Sequence, residues 1–129
     1  MKLNNNCLRD ILIYCEDVLS FDEDLSWCPL YLSDFVKALP QYSQEDIAYT
    51  LILLDEAHFI ESIIHKRNGG IYDISVYRLT YKGHEFLATI KPDNIWEKLQ
   101  SIISTTGSIS LPILQELASN YLLAFLTGQ

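Results

Sequence analysis

The chain is poor in the residues that mark specialised architectures. Its 129 residues include only five glycines, four prolines, three cysteines and one methionine. Collagen-like and low-complexity classes need far more Gly and Pro. A composition that is 49% hydrophobic and 12% aromatic also excludes a disordered chain. Cys7, Cys15 and Cys28 are an odd, widely spaced set with no CxxC pair, so zinc and dithiol readings fail. Cys7 and Cys15 fall on the apolar side of an expected helix, and the cysteines are expected to be buried thiols. Long hydrophobic runs are missing too. The densest apolar stretch, Leu111 to Leu126, is interrupted by Gln115, Glu116, Ser119 and Asn120, short of the ~20 apolar residues of a membrane span. No basic segment followed by an apolar one opens the sequence, so no secretory signal is expected and a cytoplasmic location is.

Catalytic signatures are equally scarce. His84-Glu85 would need a second His at position 88 to place two imidazoles on one helical face, and position 88 is Ala. Gly69-Gly70 precedes a strand rather than a helix and has no Lys-Ser or Lys-Thr after it, so it is no phosphate loop. His58 and His65 stand near opposite ends of one expected strand, more than roughly 20 Å apart at ~3.3 Å per residue. No Gly-x-Ser-x-Gly elbow occurs. The carboxylate clusters, such as Asp22-Glu23-Asp24 and Asp55-Glu56, lie in expected loops or on polar helix faces. The expectation is a non-enzymatic protein without metal or cofactor.

The chain has nine Lys and Arg against 17 Asp and Glu, a formal net charge of −8, and the deficit is uneven. Residues 58–91 carry Lys66, Arg67, Arg78, Lys82 and Lys91 against Glu61, Asp73 and Glu85, a net of +2. The rest carries Lys2, Arg9, Lys37 and Lys98 against fourteen acids, a net of −10. A basic segment sits on an acidic body.

Periodicity places the elements. Residues 4–19 repeat apolar positions at three- and four-residue spacing (Leu8, Ile11, Leu12, Cys15, Val18, Leu19) behind a capping Asn, and predict a helix. "SFDEDLSW" reads as a solvated loop. "CPLYL" suits a short edge strand. "SDFVKAL" reads as a brief helix capped by Ser33 or Asp34 and stopped before Pro40. A longer helix opens at Ser43, which with Asp46 resembles a capping box. Its core face is Ile47, Leu51, Leu54 and Ala57.

The period then changes from helical to alternating. Residues 59–67 and 71–79 are rich in Ile, Val, Tyr and Phe, and Asn68-Gly69-Gly70 between them predicts a hairpin turn. Tyr72, Ile74 and Val76 are expected on one face, Asp73, Ser75 and Tyr77 on the other. Three further helices follow: one capped by Thr80, one opened by Pro92 and Asp93 and broken by "STTGS", and one from Ser110 to Leu126.

This order of helix, strand, helix, helix and hairpin is that of a winged helix. The expected fold is therefore α+β and mostly helical: a winged-helix domain over residues 1–91, and a helical appendage over 92–129 that packs on it or forms a dimer interface. "LDEAHFIES", "GGIYDISVYRLTYKGHEFL" and "GSISLPILQELAS" resemble a family of small uncharacterised winged-helix-like proteins of phages, prophages and their bacterial hosts. The likeness covers most of the chain, and the stretch from Leu79-Thr80 to Gly83-His84-Glu85-Phe86-Leu87 is its most specific part. His58 stands where that family's pattern has Gly. The resemblance implies a winged helix and a mobile-element setting, and no catalytic residues.

Two functional readings follow. Winged helices that read DNA insert the helix after the turn into the major groove and touch phosphates with the wing. Here His65, Lys66, Arg67, Arg78 and Lys82 form a candidate wing contact patch; the plainer alternative is a solvated strand face that protects an edge from pairing. The helix from Ser43 has no Lys or Arg and starts with Gln44-Glu45-Asp46, which opposes phosphate binding. A protein partner is therefore the first expectation and a dimeric DNA-binding regulator the second. Leu114, Leu117, Tyr121, Leu122 and Phe125 belong to a last helix with apolar residues on more than one face, and Trp96 and Leu99 to the apolar set of the helix before it. Together they are more than one small domain is expected to cover, and they predict a homodimer built mainly from residues 94–126.

Overall fold

The computed structural model describes residues 1–128. Helix α1 spans Asn5–Val18, and the Asn4 side chain caps it by accepting the Cys7 N–H at 3.0 Å. Strands β1 (Ser20–Phe21) and β2 (Trp27–Cys28) pair with each other. Strand β3 (Leu30–Tyr31) leads into α2 (Leu32–Ala38) and α3 (Gln44–Glu56). Strands β4 (Ile60–Arg67) and β5 (Gly70–Leu79) form the long hairpin, and α4 (Tyr81–Ile90), α5 (Asp93–Thr106) and α6 (Leu111–Leu126) complete the chain. The larger sheet has the antiparallel order β3-β5-β4, so the Pro-led strand is an edge, as its sequence predicts. Helix α1, strand β3, the α2–α3 turn unit and the β4–β5 wing make this a winged helix by its own topology.

The hairpin turn is tight because Asn68 and Gly69 take positive φ values of 50° and 79°, as a two-residue turn matched to strand twist requires. Gly70 is already in the strand, paired with Arg67. The β4–β5 register shifts at Glu61/Ser62 and His65/Lys66, and such bulges increase local bend and twist. Its root is buried through Ile74, Ser75 and Val76, while Tyr72, further out, is 56% exposed. Strict alternation therefore fails at two positions. Tyr72 is past the reach of the core, and Ser75, in the central strand between Tyr31 and Ile63, is buried with its hydroxyl 2.9 Å from His65 Nε2.

Four local expectations are corrected. Residues 20–28 form a two-stranded hairpin rather than a plain loop: Asp22 Oδ1 accepts the N–H groups of Asp24 and Ser26, and the Phe21 and Trp27 rings meet at 4.4 Å. Helix α2 begins at Leu32 with Tyr31 at the cap position; Asp34 sits at the third helical residue, where its carboxylate accepts the Tyr31 N–H at 2.8 Å. At α3, Ser43 Oγ accepts the Asp46 N–H at 3.1 Å, but the Asp46 carboxylate turns to the Asn4 amide instead of closing a capping box. Cys28, in the small hairpin, is exposed, while Cys7 and Cys15 are buried, and burial pushes their thiols up to about 11 and about 12.

Helix α3 ends in a Schellman motif. The His58 N–H donates to Asp55 O and the Phe59 N–H to Leu54 O, with His58 at φ 64°. That left-handed position favours Gly, which gives a physical meaning to the glycine of the resembled family.

One continuous core joins α1, the α2–α3 unit, the sheet root and the last three helices. Leu8, Ile11, Leu51, Ile74, Leu87, Ile95, Leu99 and Leu114 are all fully buried within it. Arg9 runs from α1 to the end of α4, donating to the Ile90 and Lys91 carbonyls and to the Asp93 carboxylate. A cation is favourable there, at the negative end of the helix dipole.

Candidate interaction face: the third helix and the wing

Helix α3 buries Ile47, Thr50, Leu51 and Leu54. At 100° per residue, the opposite side is the row Glu45, Tyr49, Ile52 and Glu56. Glu45 and Glu56 are exposed; Tyr49 and Ile52 are half-buried. The outward row is thus apolar in the middle and acidic at both ends, and the helix contains no Lys, Arg or His. Its N-terminus is also occupied. The Ser43 hydroxyl takes one free N–H, and Glu45 and Asp46 lie in the positive end of the dipole.

The wing residues singled out from sequence do not form one patch. Lys66 and Arg67 stand at the tip beside the Asn68-Gly69 turn, and neither meets a carboxylate among the described residues. Arg67 stacks over the Tyr72 ring at 4.8 Å. His65 turns inward to Ser75. Arg78 is at the wing root, bound to Glu61 at 2.7 Å, which neutralises it. Lys82 is on α4, with its ammonium 5.8 Å from the centre of the Phe59 ring. Arg78 lies opposite Glu61, six strand residues from Arg67, so roughly 20 Å separates it from the tip. The free positive charge of the wing is therefore Lys66 and Arg67 alone.

The apolar residues of the last two helices divide as well. Trp96, Leu99 and Leu114 are buried inside the subunit. Leu117, Tyr121 and Leu122 are half-buried against the core, and Lys98 sits over the Tyr121 ring. Phe125 is 58% exposed and Leu126 70%. The inner stripe of α6 runs past the end of the body and stays uncovered there.

Among the described residues, no group of three or more His, Cys, Asp or Glu converges as a metal site would require. No helix is long and apolar enough to cross a membrane.

The architecture thus defines a winged-helix protein. Residues 2–109 match the family described as "Hypothetical protein (DUF2513)", and the chain belongs to that family. No curated protein matches it. Among solved structures it is similar to a mutant of MepR from S. aureus, at 16% identity and a TM-score of 0.45 over 96% of this chain and 80% of that one. It is also similar to the adhesin competence repressor AdcR from Streptococcus pyogenes, at 16% identity and a TM-score of 0.47 over 98% and 80%.

Proposed function

We propose that this chain is a non-enzymatic interaction protein, in the phage or prophage setting its sequence resemblance implies, that binds a protein partner through the outward row of α3. The observation that carries this reading is the row itself: Glu45, Tyr49, Ile52 and Glu56, with no cation on the helix. A DNA-reading helix gains its affinity from cations that neutralise phosphates. An aromatic and an aliphatic side chain between carboxylates suit a partner with a basic rim around an apolar centre.

A second reading, a dimeric DNA-binding regulator, is favoured by one feature, the unpaired Lys66 and Arg67 at the wing tip. The fold supports it by analogy only. A gel shift with random duplex at ~150 mM salt separates the two. The expected result is no complex tighter than the micromolar range of non-specific binding. Capture from host lysate should survive nuclease and be lost in Tyr49→Ala/Ile52→Ala. Tight duplex binding, weakened for all sequences by Lys66→Ala/Arg67→Ala, would establish the regulator instead.

Self-association belongs to the same proposal. The uncovered end of α6, Phe125 and Leu126 with the half-buried Leu122 beside them, would be closed by a second copy, since two-fold dimers are the commonest oligomers. Light scattering should give twice the 14.8 kDa chain mass at tens of micromolar, and Leu122→Glu/Phe125→Glu should give a folded monomer. Wild-type protein at the monomer mass would end the dimer proposal.

A further inference from the structure

The small hairpin between α1 and β3 takes no part in the core, yet its turn is hydrogen-bonded and it exposes large apolar side chains. Phe21 is 50% exposed, Trp27 43% and Leu25 75%. Its turn is closed by the Asp22 carboxylate and by the Asp22–Ser26 and Leu25–Asp22 backbone bonds, which hold Leu25 at φ 62°. Beneath it lies a half-open cleft of about 160 Å³ between α1, the hairpin, the end of β5 and α4. Leu19, Phe21, Trp27 and Leu79 give it apolar walls, while Glu16, Arg78 and His84 reach its rim.

We propose that this hairpin and cleft form a second docking site, for a protein segment that carries an aromatic or large aliphatic side chain flanked by Lys or Arg. Size and charge choose the occupant. A cavity of about 150 Å³ with apolar walls takes a benzene-sized group, so the cleft fits one such side chain. The charge of the elements that frame it is mostly negative. The end of α1 and the hairpin, residues 16–28, have no Lys, Arg or His, while Glu16, Asp17, Asp22, Glu23 and Asp24 are acidic. Of the basic residues that approach from other elements, Arg78 is paired with Glu61 and Lys91 with Glu16, and His84 reaches the rim. Asp17, Glu23 and Asp24 are exposed and meet no cation among the described residues. Nucleic acid and anionic lipid would be repelled. A basic peptide gains both the apolar burial and the charge pairing, and Trp is the residue type most often found at the energetic centre of such contacts. Because the turn is already fixed, little ordering cost is left for binding.

A labelled peptide Gly-Lys-Arg-Phe-Lys-Arg-Gly tests this by fluorescence anisotropy with the full chain at ~150 mM salt. Saturable binding is expected, weakened about tenfold or more by Trp27→Ala or by Ala in place of the peptide's Phe. Glu23→Gln/Asp24→Asn should weaken it several-fold and flatten its salt dependence. Leu25→Ala is the second variant should Trp27→Ala disturb the hairpin, and circular dichroism checks both. In the indole N–H region of the NMR spectrum the exposed Trp27 should shift, and Trp96, bonded to Asn6, should not. No saturation at millimolar protein, or equal binding of the Ala peptide, would overturn the proposal. The site is separate from α3, so Tyr49→Ala/Ile52→Ala should leave peptide binding unchanged, and failure of either site is read independently.

Discussion

Gly83→Ala should lower the thermal unfolding midpoint by roughly 10 °C, the equivalent of about 2–3 kcal/mol in a domain of this size. In an ordinary exposed helix the same change would stabilise by up to about 1 kcal/mol. Here a Cβ on Gly83 would lie 2.0 Å from the Phe59 carbonyl oxygen and 2.9 Å from its carbon. The obstacle is backbone, and no rotamer can relieve it. That oxygen also accepts the Thr80 N–H at 3.0 Å, while the Thr80 hydroxyl accepts the Gly83 N–H and donates to His58 O. Moving α4 away to admit a methyl group would therefore loosen the helix cap and the joint between α3 and the wing together. It would also separate Phe86 from Phe59, whose rings stack at 4.8 Å. Overpacking costs of about 1–3 kcal/mol, and occasionally more, are usual for such sites, and a backbone collision belongs at the upper end. Lys82→Ala is the control: exposed and one residue away, it should change stability by less than about 0.5 kcal/mol. An unchanged midpoint for Gly83→Ala would mean that α4 does not approach Phe59 this closely.

This contact explains what the sequence could reveal and what it could not. The helices and the wing were legible because their signals are local: three- and four-residue periodicity in α1, Asn68-Gly69 between two runs of β-branched and aromatic residues, and Thr80 ahead of α4. Gly83 was visible only as part of a family-like stretch, since a close approach to Phe59 depends on how two elements cross. The 20–28 hairpin was missed because three consecutive acids suggest solvation. The available clue was Phe21 and Trp27, one on either side of the turn Asp22 closes. The candidate face was half legible. The lack of cations on α3 is a fact of sequence, but charge counting alone grouped Arg78 and Lys82 with Lys66 and Arg67. Glu61, directly across from Arg78 in the β4–β5 register, removes Arg78 from that group. Trp96, Leu99 and Leu114 looked like a surplus for a partner because the number of neighbours around α5 and α6 is not written in their periodicity. The core already includes them.

Asn5→Ala should cost about 3 kcal/mol, although it removes a small polar side chain near the start of the chain. Asn5 is 2% exposed and makes both of its hydrogen bonds to one residue 104 positions away. Its amide donates to Ile109 O at 2.8 Å, and its Oδ1 accepts the Ile109 N–H at 3.0 Å. With alanine in its place, a buried peptide N–H and a buried carbonyl lose their partners together, at about 1–3 kcal/mol for each unsatisfied group. The neighbours act on the same region. Asn6 Oδ1 accepts from Trp96 Nε1 and from the Gln100 amide, and the Ser108 hydroxyl donates to Leu3 O. The start of α1 is thus the clasp for α5 and for the turn into α6. If that clasp couples the C-terminal helices to the winged helix, Asn5→Ala should shift the whole denaturant transition to a lower midpoint, with one slope for Trp fluorescence and circular dichroism. If residues 92–128 instead behave as a separate appendage, the buried Trp96 should report an earlier step while the ellipticity of the winged helix persists. Hydrogen exchange at the Ile109 amide distinguishes the two directly: protection near the global stability in wild type supports coupling, and protection lost well below it supports an independent appendage.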